Sequence, residues 1–134
     1  MTDFPLKIVT PDGVFYDGMA QQLTVRSTTG DIGILAGHIN CVAPLGMGRA
    51  TVVIDGQKRY AACIGGMLSV VDGKVTLVPT TFEWADQIDV QRAERSYQKA
   101  REILSRKDAS NTDIKLAEAR LRRALVRKNV ASSK

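Results

Sequence analysis

The sequence predicts a β-sandwich or barrel followed by a helical hairpin. Three observations point that way. All 11 glycines and all 4 prolines lie before residue 80. Four Asp-Gly pairs punctuate that same part of the chain. The charge is also uneven. Residues 1–85 carry 6 Lys and Arg against 7 Asp and Glu, whereas residues 86–134 carry 13 against 7. Turn formers concentrated in one part and absent from the other mean that the two parts obey different backbone rules. Domains are therefore expected over 1–85 and 86–134.

In the first part, Asp12-Gly13, Asp17-Gly18, Asp55-Gly56 and Asp72-Gly73 each read as a tight hairpin turn, because glycine adopts positive φ without a Cβ clash. Short β-branched runs lie between them: Leu6–Thr10, Leu23–Val25, Thr51–Ile54, Met67–Val71 and Lys74–Val78. The last two, joined through Asp72-Gly73, make the clearest hairpin. Many short strands at near-regular spacing suit a sandwich or barrel.

In the second part, Ala93, Tyr97, Ala100 and Leu104 recur in steps of four, three and four, one face of a helix running from Ile88. Asp86 or Asp89 can cap it. A second face runs through Ile114, Ala117, Leu121, Ala124 and Lys128, with Asn111 or Thr112 as its cap. The polar break Lys107–Asn111 is short, so the helices form an antiparallel hairpin. Alanines at facing positions allow close approach but bury little area. Such a hairpin is marginal alone and leans on something else.

Several function classes are excluded. No stretch approaches the roughly 20 apolar residues that a membrane-spanning helix needs. The first residues show no basic segment followed by an apolar run, so no secretory signal is expected. Cys41 and Cys63 form no C-x-x-C pair and read as small apolar residues. There is one histidine, His38, in an apolar, glycine-rich stretch with nothing beside it to build a catalytic triad. No G-x-x-x-x-G-K-[ST] loop is present, and Gly65-Gly66 precedes a strand rather than a helix. Neither a metal site nor an enzyme in its own right is expected. The basic helices could follow a nucleic-acid backbone, but the aromatics sit almost wholly in the β-part and supply no stacking surface beside the arginines, so no nucleic-acid partner is expected.

The stretch Gly30-Asp31-Ile32-Gly33-Ile34-Leu35-Ala36-Gly37-His38 resembles the G-[DE]-[IL]-G-[IL]-x-x-G-H segment of the epsilon subunits of rotary F-type ATP synthases. Val9–Gly13, Val42–Leu45 and Gly65–Val70 are similar to that family in the same order and spacing. Ile88-Asp89-Val90-Gln91-Arg92-Ala93 resembles its I-D-x-x-R-A helix start, and Leu121–Leu125 its second helix. The resemblance covers nearly the whole chain. It implies a flattened ten-stranded β-sandwich, then an antiparallel two-helix hairpin. It also implies a non-catalytic place in the central stalk of a proton-translocating synthase, with sodium the open alternative. That place is peripheral, on the cytoplasmic side of a bacterial membrane, without insertion into it.

The partners implied are the gamma subunit and the c-ring and, when the hairpin is extended, the alpha and beta subunits. Thr29, Asp31 and His38 fall where the family meets the rotor. Arg120, Arg122, Arg123, Arg127 and Lys128 form the cationic surface that would hold an acidic segment of a catalytic subunit and inhibit ATP hydrolysis. No cofactor is required. In some members the folded hairpin binds one ATP as a regulatory ligand without hydrolysing it. The matching positions here are Glu83, Ile88, Asp89, Arg92, Ala93, Arg123 and Arg127, together with Lys99, which stands where those members carry arginine.

Overall fold

The computed structural model describes residues 2–133; Met1 and Lys134, the outer bounds of the two expected domains, lie outside them. Ten strands come first: β1 (Phe4–Thr10), β2 (Gly13–Ala20), β3 (Gln22–Ser27), β4 (Gly30–Ile34), β5 (Cys41–Pro44), β6 (Met47–Ile54), β7 (Gln57–Ile64), β8 (Met67–Val71), β9 (Lys74–Val78) and β10 (Thr81–Trp84). They form two five-stranded sheets, ordered β2-β1-β9-β8-β5 and β10-β7-β6-β3-β4. All pairs are antiparallel except β1 with β9.

Period-two alternation builds the interior. Phe4, Leu6 and Ile8 of β1, Leu68 and Val70 of β8, and Val75 and Leu77 of β9 point inward from one sheet. Leu23 and Val25, Ala50 and Val52, Ala61 and Cys63, and Phe82 and Trp84 meet them from the other. Neither cysteine is in a disulfide, and burial pushes the Cys63 thiol up to about 12, so it packs as a neutral group. Cys41 is only half-buried.

Two of the four Asp-Gly pairs close hairpins as expected. Asp55-Gly56 joins β6 to β7 and Asp72-Gly73 joins β8 to β9, with φ of 52° and 77° and of 51° and 81°. The other two behave differently. Asp17-Gly18 lies inside β2, where Asp17 faces Lys7 and Gly18 faces Leu6. The ladder with β1 continues straight through the pair, and Gly18 instead makes room for the Tyr16 ring. Between β1 and β2, Thr10 pairs with Gly13, so the turn residues are Pro11 and Asp12.

After β10 a single 3-10 turn (Ala85–Gln87) leads to α1 (Val90–Ser105) and α2 (Asn111–Ala131). Ile88 is extended rather than helical, with φ −75° and ψ 126°, and Asp89 caps α1 by accepting the Arg92 N–H at 3.0 Å. The cap of α2 is Ser110, one residue before the expected Asn111. Its hydroxyl accepts the Asp113 N–H at 3.1 Å while the Asp113 carboxylate accepts the Ser110 N–H at 3.4 Å. This reciprocal capping box starts the helix earlier than its apolar face does.

Ala93 and Ala100 of α1 and Ala117 and Ala124 of α2 are buried along the seam between the helices. The hairpin does lean on the sandwich. Val130 in the last turn of α2 packs with Ile88 and Ala62 on the outer face of the second sheet, ringed by Tyr60, Ala85 and Val126. One buried valine contributes about 1.5–3 kcal/mol, so this seat is small.

Candidate anion-binding groove and loop site

Two polar contacts reinforce the apolar seat. Arg127 Nε donates to Glu83 Oε1 at 2.5 Å, and Glu83 stands on β10 opposite Ala62. Arg49, on β6, lies 4.7 Å over the Tyr60 ring and donates to the Ser133 hydroxyl at 3.2 Å. Within the hairpin, Lys128 Nζ meets Glu94 Oε2 at 2.6 Å and lies 4.2 Å over the Tyr97 ring. The Gln98 amide and Lys128 hold the Glu94 carboxyl below its ordinary value.

Beside these contacts, between the two helices and the β10 edge, runs a groove of about 1020 Å³. Of the eight residues matched to a regulatory nucleotide, seven line it: Glu83, Asp89, Arg92, Ala93, Lys99, Arg123 and Arg127. Ile88 does not; its side chain is turned into the seat with Val130. Sequence reasoning missed Gln87, Glu94, Arg95, Ser96, Gln98 and Glu102 on the same walls, and it placed Arg120 only on the cationic surface for an acidic partner. For Arg95, Ser96, Glu102 and Arg120, helical spacing from Arg92 and Arg123 was the available signal.

The charges in the groove are not mutually satisfied. Each of its four acids is engaged: Glu83 with Arg127, Glu94 with Lys128, Glu102 with Arg106, and Asp89 with the α1 N-terminus. Of its six cations only Arg127 is in an ion pair among the described residues. Arg92, Arg95, Lys99, Arg120 and Arg123 therefore face the groove with donors to spare, which suits a polyanion.

The cationic residues of α2 divide by partner. Arg120 and Arg122 are exposed, whereas Arg127 is held by Glu83 of the sandwich and Lys128 by Glu94 within the hairpin. An acidic partner would have to displace both carboxylates to reach them.

Thr29, Asp31 and His38 lie at the far end of the second sheet, around the edge strand β4. Thr29 is exposed in the β3–β4 turn, where Ser27 ties the chain by donating to the Gly30 carbonyl at 2.6 Å. Asp31 accepts from Arg26 Nε at 2.7 Å. His38 sits in the following loop with Nδ1 2.8 Å from the Ile39 carbonyl, a contact that requires the proton on Nδ1. The three share one end of the molecule without bonding to one another. Beside them Leu35 and Ile39 are 60% and 78% exposed. Two aliphatic side chains are thus solvated on one loop, a feature that their apolar character within a glycine-rich stretch could have signalled.

The beta-sandwich domain of the ATP synthase delta/epsilon chain matches residues 3–85, and the long alpha-helix domain of the same chain matches residues 86–132. The chain belongs to the ATP synthase delta/epsilon chain family. It is 40% identical over 135 residues to the ATP synthase epsilon chain of Ruminococcus albus, covering 100% of both chains. It is 41% identical over 133 residues to that of Bacillus velezensis, covering 99% of this chain and 100% of the relative. A chain in the mitochondrial ATP synthase of Euglena gracilis, solved as its OSCP, F1 and c-ring portion, shares the fold with a TM-score of 0.80 at 22% identity, over 91% of this chain and 77% of that one. A chain in the central stalk and c-ring of the Tetrahymena thermophila mitochondrial synthase gives 0.67 at 10% identity, covering 96% of each. As a delta/epsilon chain it is a non-catalytic subunit of the synthase.

Proposed function

We propose that this epsilon-type subunit turns with the central stalk of a bacterial rotary ATP synthase, and that its hairpin is a nucleotide-sensitive brake. The sandwich would bind gamma and rest on the c-ring through the end that carries Thr29, Asp31 and His38, with Leu35 and Ile39 adding apolar contact. The subunit would thus be peripheral to the membrane, on its cytoplasmic side. Docked on the sandwich, the hairpin is permissive. Raised along gamma, it offers Arg120, Arg122, Arg123, Arg127 and Lys128 to an acidic segment of the alpha and beta head and blocks hydrolysis.

The observation that carries the nucleotide part is the unbalanced groove. Its five cations without an ion pair among the described residues line one cavity with Asp89 and Ala93, and that cavity is walled by both helices together with Glu83 of β10, so it needs the hairpin folded. A ligand that binds one of two states shifts the balance toward it; at 100 times Kd the shift is about 2.7 kcal/mol. That is comparable with what one buried valine and one ion pair contribute, so ATP could hold the hairpin closed without being hydrolysed.

Isothermal titration of the isolated chain with ATP tests the ligand, and no heat at millimolar nucleotide refutes it. Deleting residues 88–134 tests the brake in the assembled complex. Hydrolysis should rise while assembly persists, and unchanged hydrolysis refutes inhibition by the hairpin.

A further inference from the structure

The groove does not end where the matched residues end. On α1, Arg92, Ser96, Lys99 and Ile103 recur in steps of four, three and four, and the extended residue Arg106 follows just past the helix end. On α2, Arg127, Arg123, Arg120, Leu116 and Asp113 recur in steps of four, three, four and three, running the other way. The helical residues of each set share one face, which on α2 is about 21 Å long at the usual rise. The first three of each set line the large groove. The last two of each line a second cavity of about 360 Å³ at the hairpin tip, and Arg120 and Arg123 line both.

The two cavities differ in chemistry. The large groove is walled by charge. The tip cavity has an apolar wall of Ile103, Ala109, Leu116 and Ala117, with Arg106 and the carboxylates of Asp108 and Asp113 at its sides. Arg106 is bonded to Glu102 at 3.2 Å through one nitrogen, which leaves the guanidinium plane able to stack on a ring. The shared arginines have no carboxylate partner among the described residues. A phosphate chain lying on them would leave the groove pointing into a chamber of ligand size with one apolar wall, where Asp108 and Asp113 disfavour further phosphate.

We propose that the tip cavity is a second subsite, taking an aromatic or apolar group attached to the far end of a phosphate chain held on Arg120 and Arg123. The ligand class is a phosphate ester with a base at one end and an apolar group at the other, of which a dinucleoside polyphosphate is the simplest example. This rests on the nucleotide reading of the large groove. It adds that a single nucleotide fills only part of the site.

The test compares three ligands on the full chain by isothermal titration: ATP, adenosine tetraphosphate and diadenosine tetraphosphate. The dinucleotide should bind at least tenfold more tightly than either mononucleotide. Leu116→Glu, at an exposed position that does not threaten folding, should erase that advantage and leave ATP affinity within twofold. Ile103→Asp should do the same. If adenosine tetraphosphate matches the dinucleotide, the gain is charge alone and the subsite is refuted. Equal affinity of ATP and the dinucleotide in the unaltered chain, or an advantage that survives both substitutions, also refutes it while sparing the nucleotide reading. Failure of all three ligands to bind refutes both.

Discussion

Arg127 and Glu83 join the last turns of α2 to strand β10 through one 2.5 Å hydrogen bond between residues 44 apart in sequence. Their side chains are 28% and 31% exposed, so the pair is partly shielded from solvent. Glu83→Gln keeps the shape and removes the charge. It should weaken docking of the hairpin by about 1 kcal/mol, the usual scale for a charge-assisted bond that is not fully buried. Hydrogen exchange of α2 amides without nucleotide should then quicken by roughly fivefold, while the inner strands exchange as before.

Val130 is 1% exposed and fills the seat made by Ala62 and Ile88. Val130→Asp places a carboxylate where no donor is described and removes the apolar contact. The hairpin should undock, at a cost of roughly 2–4 kcal/mol. Far-ultraviolet circular dichroism should show helix loss or a non-cooperative helical melt. The thermal transition of the sandwich should persist, because its core lies on the other face of the sheet.

The Glu94 carboxyl has its pKa lowered by Gln98 and by Lys128. A depressed acid stabilises the folded form above its unfolded pKa, and that contribution disappears as pH falls through the lower, folded value. The pairing of α1 with α2 through Glu94 and Lys128 should therefore hold at neutral pH and loosen below the ordinary carboxylate range. Glu94→Gln should flatten this part of the pH dependence, measured as α2 exchange or helical signal across an acid titration. The Glu94 side chain is 44% exposed, so the effect should be small and should shrink in high salt.

Gly66 has φ +99°, and a Cβ there would fall 2.0 Å from the Val78 carbonyl oxygen and 2.6 Å from Pro79 Cα. Both obstacles are backbone, at the last residue of β9, which pairs with β8, and at the residue just after it. Gly66→Ala should destabilise the sandwich by about 3 kcal/mol or more, from the clash together with the strained φ. Chemical denaturation measures this directly. The open turn at Gly56, with nothing near its missing Cβ, is the control: Gly56→Ala should cost only about 1 kcal/mol.

The bipartite layout was legible because turn formers and periodicities change together near residue 80. Strands β1, β3, β6, β8 and β9 were visible as β-branched runs. Strand β2 was not, because Asp17-Gly18 imitates a turn inside it, and local chemistry cannot reveal that the partner ladder runs on. Nor could it reveal β10, whose four residues are recognisable only by what they pair with. The α2 start was shifted because Ser110 and Asp113 cap each other outside the apolar face. At the candidate site, spacing placed Arg92 with Lys99 and Arg123 with Arg127. It did not show that Ile88 turns away into the seat, since that depends on α2 returning to the sheet, a contact between residues far apart in the chain.

The central claim is that nucleotide and hairpin closure are one equilibrium. Hydrogen exchange of residues 126–131, measured on the full chain with and without ATP at 100 times its Kd, reads that equilibrium at the latch itself. Protection there should rise by about 100-fold on adding ATP, if the nucleotide binds only the docked form. Exchange at those amides that is unchanged by saturating ATP would contradict it.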